Sequence, residues 1–199
     1  MKQIYTKKLN SISETEKQVW MNDEIFHLKH KIISKIYADG ADIMEEIKST
    51  NFFKSLPINF QNPKISKGEN YFTLPWVMVD FPCVFSNEQI FAFRIFYHWG
   101  KEINCFLILK GEFQNIFIER LKSNYCNSGF NNVLIYSGDN IWQHHIDDSY
   151  RPLHSISSDA ELSNKPFLKF AIKFNAAEID NNISLCLSAW NCYAKLLSS

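Results

Sequence analysis

The chain has 199 residues, of which 46% are hydrophobic and 15% aromatic, and its 21 lysine and arginine residues balance 21 aspartate and glutamate residues. This size suits one globular domain with a sizeable core, and the balanced charge argues against nucleic acid and anionic membranes, which favour clustered positive charge. We therefore predict a single domain over residues 1–199 that binds neither nucleic acid nor membrane.

The N-terminal part of the chain is predicted to be helical from about residue 13 to residue 49. Ser13 and Glu16 have the spacing of a capping box, which marks a helix start. Apolar residues then recur at three- and four-residue spacing, as an amphipathic helix requires: Ile25, Leu28, Ile32 and Ile36. The triplet Ala38-Asp39-Gly40 interrupts this pattern and predicts a break, followed by a short second helix.

A sheet-forming core is predicted over about residues 71–174. Residues 51–70 contain prolines and glycine among scattered aromatics, which is typical of an ordered connector. Strands are predicted at about 72–80, 89–99 and 103–110, where aromatic and β-branched residues are dense. The third of these is apolar almost throughout, which favours a central strand.

After the third strand, residues 112–125 carry an apolar face that predicts a helix. Residues 132–136 and 141–146 flank a turn signal and are predicted to form a hairpin. Residues 154–165 are polar and predict a loop. Residues 167–174 alternate, which predicts a strand with Lys169 and Lys173 on a solvent face. An apolar stripe over about residues 177–197 predicts a C-terminal helix.

This order of elements predicts an α+β fold in a single domain. The central sheet is expected to contain about five to seven strands, a common size, and to be mostly antiparallel, with mixed pairing left open. The helices are expected to pack mainly on one face of the sheet.

The most informative polar residues lie on the second predicted strand. Because side chains alternate along a strand, Arg94 and His98 share the face opposite to Phe91, Phe93 and Ile95. An arginine binds carboxylate or phosphate, and a histidine transfers protons near neutral pH, so the two residues are candidates for an anion site. The alternative is structural: Arg94 pairs with Asp80 or a glutamate, and His98 bonds a backbone carbonyl.

Asp80 follows an apolar run and precedes a proline bend, which allows two interpretations. It is a candidate catalytic acid that orients His98, or a turn residue that bonds the backbone after it. The turn interpretation is the one that we favour from the sequence.

Histidines invite a metal hypothesis that their spacing weakens. His144 and His145 are adjacent, so on a strand they point to opposite faces. His27 and His30 lie on or near the polar side of the first helix. Only a fold that joins His98 and His154 with His144 or His145 would supply three ligands, and we predict no metal.

Residues 91–96, FAFRIF, partly match the F-A-F-V-x-F core of the RNA-recognition strand. Arg94 replaces the valine of that core, and Gln89-Ile90 replace the basic residue and the glycine that precede it in the RNA-recognition pattern. Neutral charge also argues against this interpretation, so we expect these aromatic residues to be core.

Several motifs that mark common classes of enzyme, cofactor site or metal site are absent from the sequence. No phosphate-binding glycine loop and no nucleophile elbow is present, and we predict no cofactor. The five cysteines form no C-x-x-C pair, and the first seventeen residues lack an apolar signal region. These features predict a cytoplasmic protein with free thiols.

The sequence leaves two classes of function open. The first is a non-catalytic ligand-binding or protein-interaction domain, with a homodimer or a small anionic ligand as the partner, because aromatic residues are in surplus. The second is a small-molecule enzyme in which Asp80, Arg94 and His98 act on an anionic substrate. Four further residues complete the predicted ligand-binding set: Trp99, His144, His145 and His154.

Overall fold

The structure, a computed structural model, describes residues 12–56 and 58–198. Residues 1–11, on which the prediction of no signal region partly rests, lie outside the described residues. Internal contacts divide the chain into two units, one that ends at Ile36 and one that begins at Tyr37. That the chain forms a single domain stays a prediction.

The first unit is helical. Helix α1 spans Glu14–Met21, and the predicted capping box is confirmed, because Ser13 Oγ accepts from the Glu16 amide at 3.2 Å while Glu16 Oε2 accepts from the Ser13 amide at 2.7 Å. Helix α2 spans Asp23–Ser49, so it begins in this unit and ends in the second. The predicted break at residues 38–40 is wrong, because α2 continues through them. One glycine destabilises a helix by only about 1 kcal/mol, which the rest of a long helix can offset.

The second unit is built on a seven-stranded sheet in which every pairing is antiparallel. The predicted α+β class and the predicted sheet size are confirmed. The strands, in chain order, are β1 Lys64–Tyr71, β2 Leu74–Phe85, β3 Ile90–His98, β4 Glu102–Lys110, β5 Leu134–Tyr136, β6 Tyr150–Pro152 and β7 Leu168–Asn175. Across the sheet they lie in the order β1-β2-β3-β4-β7-β5-β6, which places β3 and β4 near the centre as expected.

Helices cover one face of this sheet. The remaining helices are α3 Asn51–Ser55, α4 Glu112–Asn124, α5 Asp159–Ser163 and α6 Asn182–Leu196. Phe91 contacts Phe117 of α4 and Phe93 contacts Trp190 of α6, with ring centroids 6.0 and 5.5 Å apart. The predicted C-terminal helix is shorter than expected, because residues 176–181 form a 3-10 helix before α6 begins.

Strand β3 divides its side chains between the two faces as the alternation predicts. Phe91, Phe93 and Phe96 are completely buried, so they present no exposed aromatic platform on which bases stack. Phe91 and Phe93 face the helices, whereas Arg94 and Phe96 lie on the opposite face.

Strand β2 is longer than predicted and contains Asp80 near its middle. Asp80 pairs in register with Arg94, and a bulge follows, so that Cys83 is the next residue paired with β3, opposite Ala92. The turn interpretation of Asp80 is therefore wrong. Strand β1 lies mostly where the sequence predicted a connector; that prediction is wrong for these residues, because KISKGENY is a polar edge strand without apolar alternation.

The predicted hairpin is also wrong in its second half. Strand β5 pairs with β6, and residues 137–149 form a loop without strand structure. We call these residues the covering loop, because they lie over the sheet face opposite to the helices. Among the residues that the structure describes, no helix is both long and apolar enough to cross a bilayer.

Candidate functional site

An ion pair between neighbouring strands forms the centre of the site. Arg94 donates from Nε and Nη2 to the two carboxylate oxygens of Asp80, at 2.6 and 3.0 Å. Asp80 is completely buried and Arg94 is 4% exposed. The bidentate geometry fixes the guanidinium plane, and Asp80 balances a charge that would otherwise be buried alone. The structural alternative for Arg94, pairing with Asp80, is thus the observed one.

A cleft of about 370 Å³ opens beside this ion pair. Its walls are formed by residues of β1, β2, β3 and the covering loop, namely Lys64, Met78, Asp80, Phe85, Arg94, Trp142 and His144. The Arg94 guanidinium carbon lies 5.2 Å from the ring centroid of Trp142 and 5.6 Å from that of Phe85. The two rings are neighbours, with centroids 6.1 Å apart, so they shield part of the guanidinium from water, which strengthens its attraction to an anion.

The covering loop is held by side chains of the sheet. Lys169 of β7 donates from Nζ to the carbonyl of Ile141 at 2.9 Å and to the carbonyl of Gln143. Asn104 of β4 donates to the carbonyl of His144 at 3.0 Å. These bonds satisfy backbone groups that a loop lying on a sheet would otherwise leave without partners. The loop is therefore an ordered part of the cleft wall.

Sequence reasoning missed Lys64, Phe85 and Trp142 of the cleft wall, and it misplaced Lys169. Lys169 was predicted on a solvent face, yet its side chain is completely buried, and its Nζ lies 4.7 Å from the ring centroid of Phe106 and 5.3 Å from that of Tyr136. Burial, and secondarily the positive charge of Arg94, lowers the pKa of Lys169 to about 7. The alternation of β7 gives no signal of this, because the covering loop buries the residue.

His144 lies within the covering loop and lines the cleft. Its ring centroid lies 4.9 Å from that of Phe96, and its Nδ1 is buried without a hydrogen-bond partner in the described chain. Burial, helped by the charges of Arg94 and Lys169, lowers the pKa of His144 to about 3. The imidazole is therefore neutral at physiological pH.

Two more polar atoms near the covering loop lack partners among residues 12–56 and 58–198: Asn104 Oδ1 and the hydroxyl of Tyr150. The Phe106 ring lies between His144 and Tyr150 in this arrangement, with its centroid 6.3 Å from that of His144 and 6.4 Å from that of Tyr150, and Asn104 bonds the His144 carbonyl. Buried polar groups without protein partners are rare in proteins and usually mark a bound water, ion or ligand. Their grouping under one loop sets this region apart from the helical face.

His98 has a structural position. It donates from Nε2 to the carbonyl of Tyr71 at 3.0 Å, as the structural alternative predicted, and it is not among the residues that line the cleft. The Tyr71 hydroxyl accepts from the amides of His144 and His145 at 2.8 and 3.2 Å. Strand β1 therefore holds both His98 and the covering loop in place. Asp80 and Arg94 line a common cleft, and His98 does not join them.

The other predicted binding residues are dispersed. Trp99 lies in the turn after β3, and His154 is exposed in a 3-10 helix formed by Leu153–Ser155. His145 shares a hydrogen bond with the Tyr71 hydroxyl at 2.9 Å and pairs with Asp147 at 3.1 Å. Within the described ranges, no three His, Cys, Asp or Glu residues lie close enough to hold a metal ion.

Comparisons with known proteins add no functional assignment. No protein-family model matches the sequence, and no curated protein matches it. Among solved structures, a conserved hypothetical protein from Pyrococcus furiosus matches with a TM-score of 0.37 and 12% identity, over 88% of this chain and 99% of that one. A similarity at this level carries no argument about function.

Proposed function

We propose that this protein is a non-catalytic binding protein for a small aromatic anion, and that the anion occupies the cleft beside Arg94. The observation that carries the proposal is the position of the Arg94 guanidinium against the neighbouring rings of Trp142 and Phe85, in a cleft that Lys64 also lines. With His144 neutral, two cations face one carboxylate, Asp80, so the cleft has an excess of one positive charge. Aromatic walls and a positive excess favour a planar carboxylate.

The division of roles follows from the contacts. Asp80 occupies Nε and Nη2 of Arg94 and leaves Nη1 as the donor for a ligand. Lys64 is exposed and contributes a second, mobile cation. Trp142 is 46% exposed, which suits a ring that contacts a ligand on one side.

Binding fits this site better than catalysis. A general acid or base is most effective when its pKa lies near the working pH, whereas the pKa of His144 is about 3. His98, the proton-transfer residue of the enzyme hypothesis, lies outside the cleft lining. The pKa of Lys169 is about 7, but Lys169 does not line the cleft and its Nζ bonds two loop carbonyls.

We also propose a cytoplasmic location. The five cysteines form no C-x-x-C pair, and Cys83, Cys105 and Cys186 are buried. An odd number of mostly buried cysteines suits a reducing compartment and supports this proposal.

The experiment uses three probes on the full chain and follows binding by calorimetry. Benzoate carries both the ring and the charge, benzamide carries the ring alone, and inorganic phosphate carries the charge alone. Benzoate is expected to bind at least tenfold more tightly than either control. Phosphate binding as tight as that of benzoate would contradict the aromatic part of the proposal, and equal binding of benzamide would contradict the anionic part.

Two substitutions place the probe in the cleft. Trp142→Ala removes one aromatic wall and is expected to weaken benzoate about tenfold, because an aromatic contact contributes roughly 0.5–1.5 kcal/mol. Lys64→Gln is expected to weaken it by about three- to fivefold, the range of an exposed ion pair. Lys67→Gln, on the same strand but outside the cleft lining, is the matched control and should leave benzoate binding unchanged.

A further inference from the structure

An apolar surface on the N-terminal helices has no partner within the described chain. Trp20 is 81% exposed and Met21 is 79% exposed, although both are large apolar residues. Five more large apolar side chains between Val19 and Ile32 are 41–50% exposed, namely Val19, Ile25, Phe26, Leu28 and Ile32. Exposed apolar residues clustered in this way usually mark an interaction site. We call these seven residues the N-terminal apolar face.

Part of this face has the geometry of a helix interface. Ile25, Leu28 and Ile32 are spaced by three and four residues, so they form one stripe along α2. Helix α1 contains no buried residue, and only Asn22 separates it from α2. The amphipathic pattern thus predicts a buried stripe, yet the stripe is exposed, which is the expected state of an interface seen without its partner.

The charges along this segment identify the partner. Residues 14–24 contain four acidic side chains and one basic one, Glu14, Glu16, Asp23 and Glu24 with Lys17, which gives a net charge of −3. Residues 25–36 contain Lys29, Lys31 and Lys35 and no acidic residue, which gives +3. A segment that is negative at one end and positive at the other complements a second copy of itself in antiparallel orientation.

The area of the apolar face also suits a dimer. Two of the seven side chains, Trp20 and Phe26, are aromatic and large, and at 41–81% exposure the seven together offer on the order of 700 Å². A stable protein–protein interface takes about 800 Å² from each partner, and the largest apolar patch on a typical monomer is about 300–600 Å². With the flanking charged residues included, this segment reaches the size of a standard interface.

We propose that the N-terminal apolar face binds a second copy of this chain in a twofold dimer whose N-terminal segments run antiparallel. Trp20 and Leu28 of each protomer lie at the centre, and the acidic end of one protomer meets the basic end of its partner. This dimer is independent of the anion cleft, because no residue of the N-terminal apolar face lines that cleft.

Sedimentation equilibrium of the full chain at micromolar concentration tests the dimer directly. The wild-type chain is expected to be dimeric, and Trp20→Lys is expected to raise the dimer Kd by about 30-fold or more, as for a central interface residue. Ile116→Lys is the matched control, because Ile116 is an equally apolar residue that is 41% exposed on α4, and its dimer should be unchanged. A monomeric wild-type chain, including one that binds a different protein, would overturn the proposal.

A charge exchange tests the antiparallel orientation. The Glu14→Lys/Glu24→Lys variant has two basic ends, and the Lys31→Glu/Lys35→Glu variant has two acidic ends; all four positions are exposed. Each variant alone is expected to be monomeric, whereas their mixture should form a heterodimer. Circular dichroism shows whether each variant is folded. Folded variants that dimerise separately as well as the wild type would contradict the antiparallel arrangement.

Discussion

Removing the negative partner of the buried ion pair should destabilise the protein strongly. In Asp80→Ala the Arg94 guanidinium, 4% exposed, keeps its charge without a carboxylate. Breaking a buried ion pair on one side typically costs about 3–5 kcal/mol, which corresponds to a Tm decrease of roughly 6–20 °C for a domain of this size. Replacing both members with apolar residues, Asp80→Leu with Arg94→Met, should recover most of this loss, because no isolated charge remains.

Chemical denaturation of the wild type, the single variants Asp80→Leu and Arg94→Met, and the double variant measures this coupling as a double-mutant cycle. The surface pair Lys122–Glu119, with its 2.7 Å separation and its exposed Glu119 carboxylate, provides the control, and Glu119→Ala should change the unfolding free energy by less than about 1 kcal/mol. If the two single losses at Asp80 and Arg94 simply add in the double variant, the two charges do not interact as described, and the role given to Asp80 is refuted.

Three further predictions concern stability. The pKa of His144 is about 3 in the folded state and 6.5 ordinarily, so between pH 3 and 6.5 only the unfolded state binds this proton. The unfolding free energy should therefore fall as the pH drops from 6.5 towards 3. Denaturant titrations at several pH values measure this slope, which should be flatter in His144→Asn. Burial lowers the pKa of Lys169 from 10.5 to about 7, so the unfolding free energy should also fall as the pH drops from 10.5 to 7. This pH dependence should disappear in Lys169→Met. Gly68→Ala places a Cβ 2.6 Å from the Trp76 ring and should lower the unfolding free energy by about 1–3 kcal/mol. Gly40→Ala, inside α2, places its Cβ 3.5 Å from Val79 and should be neutral or stabilising. Thermal melts compare the two variants, and equal effects would contradict the packing described for β1.

The parts of the fold that local pattern determines were predictable. Strand β3 alternates between an aromatic face and a face that carries Arg94, and the period of two was sufficient to assign both faces. The capping box at Ser13 depends on residues only three positions apart, so it too was visible in the sequence.

The parts that failed depend on distant contacts. Ile141, Trp142 and Ile146 resemble strand residues, but they cover the sheet instead of joining it, and nothing local distinguishes these two uses of an apolar residue. The burial of Lys169 follows from its bond to the carbonyl of Ile141, which is 28 positions away in the chain. Once the loop was misassigned, Lys169 was necessarily misplaced as well.

The two faces of the sheet differ in a way that stability alone does not explain. The helical face is closed by Phe91, Phe93 and their apolar contacts, which shows that this chain can bury a sheet face without charges. The opposite face buries Asp80, Arg94 and Lys169 under an irregular loop, although a buried ion pair adds little stability over apolar residues of similar volume. Packing alone would favour apolar residues at these positions, whereas the proposed anion site needs the guanidinium beside an aromatic cleft.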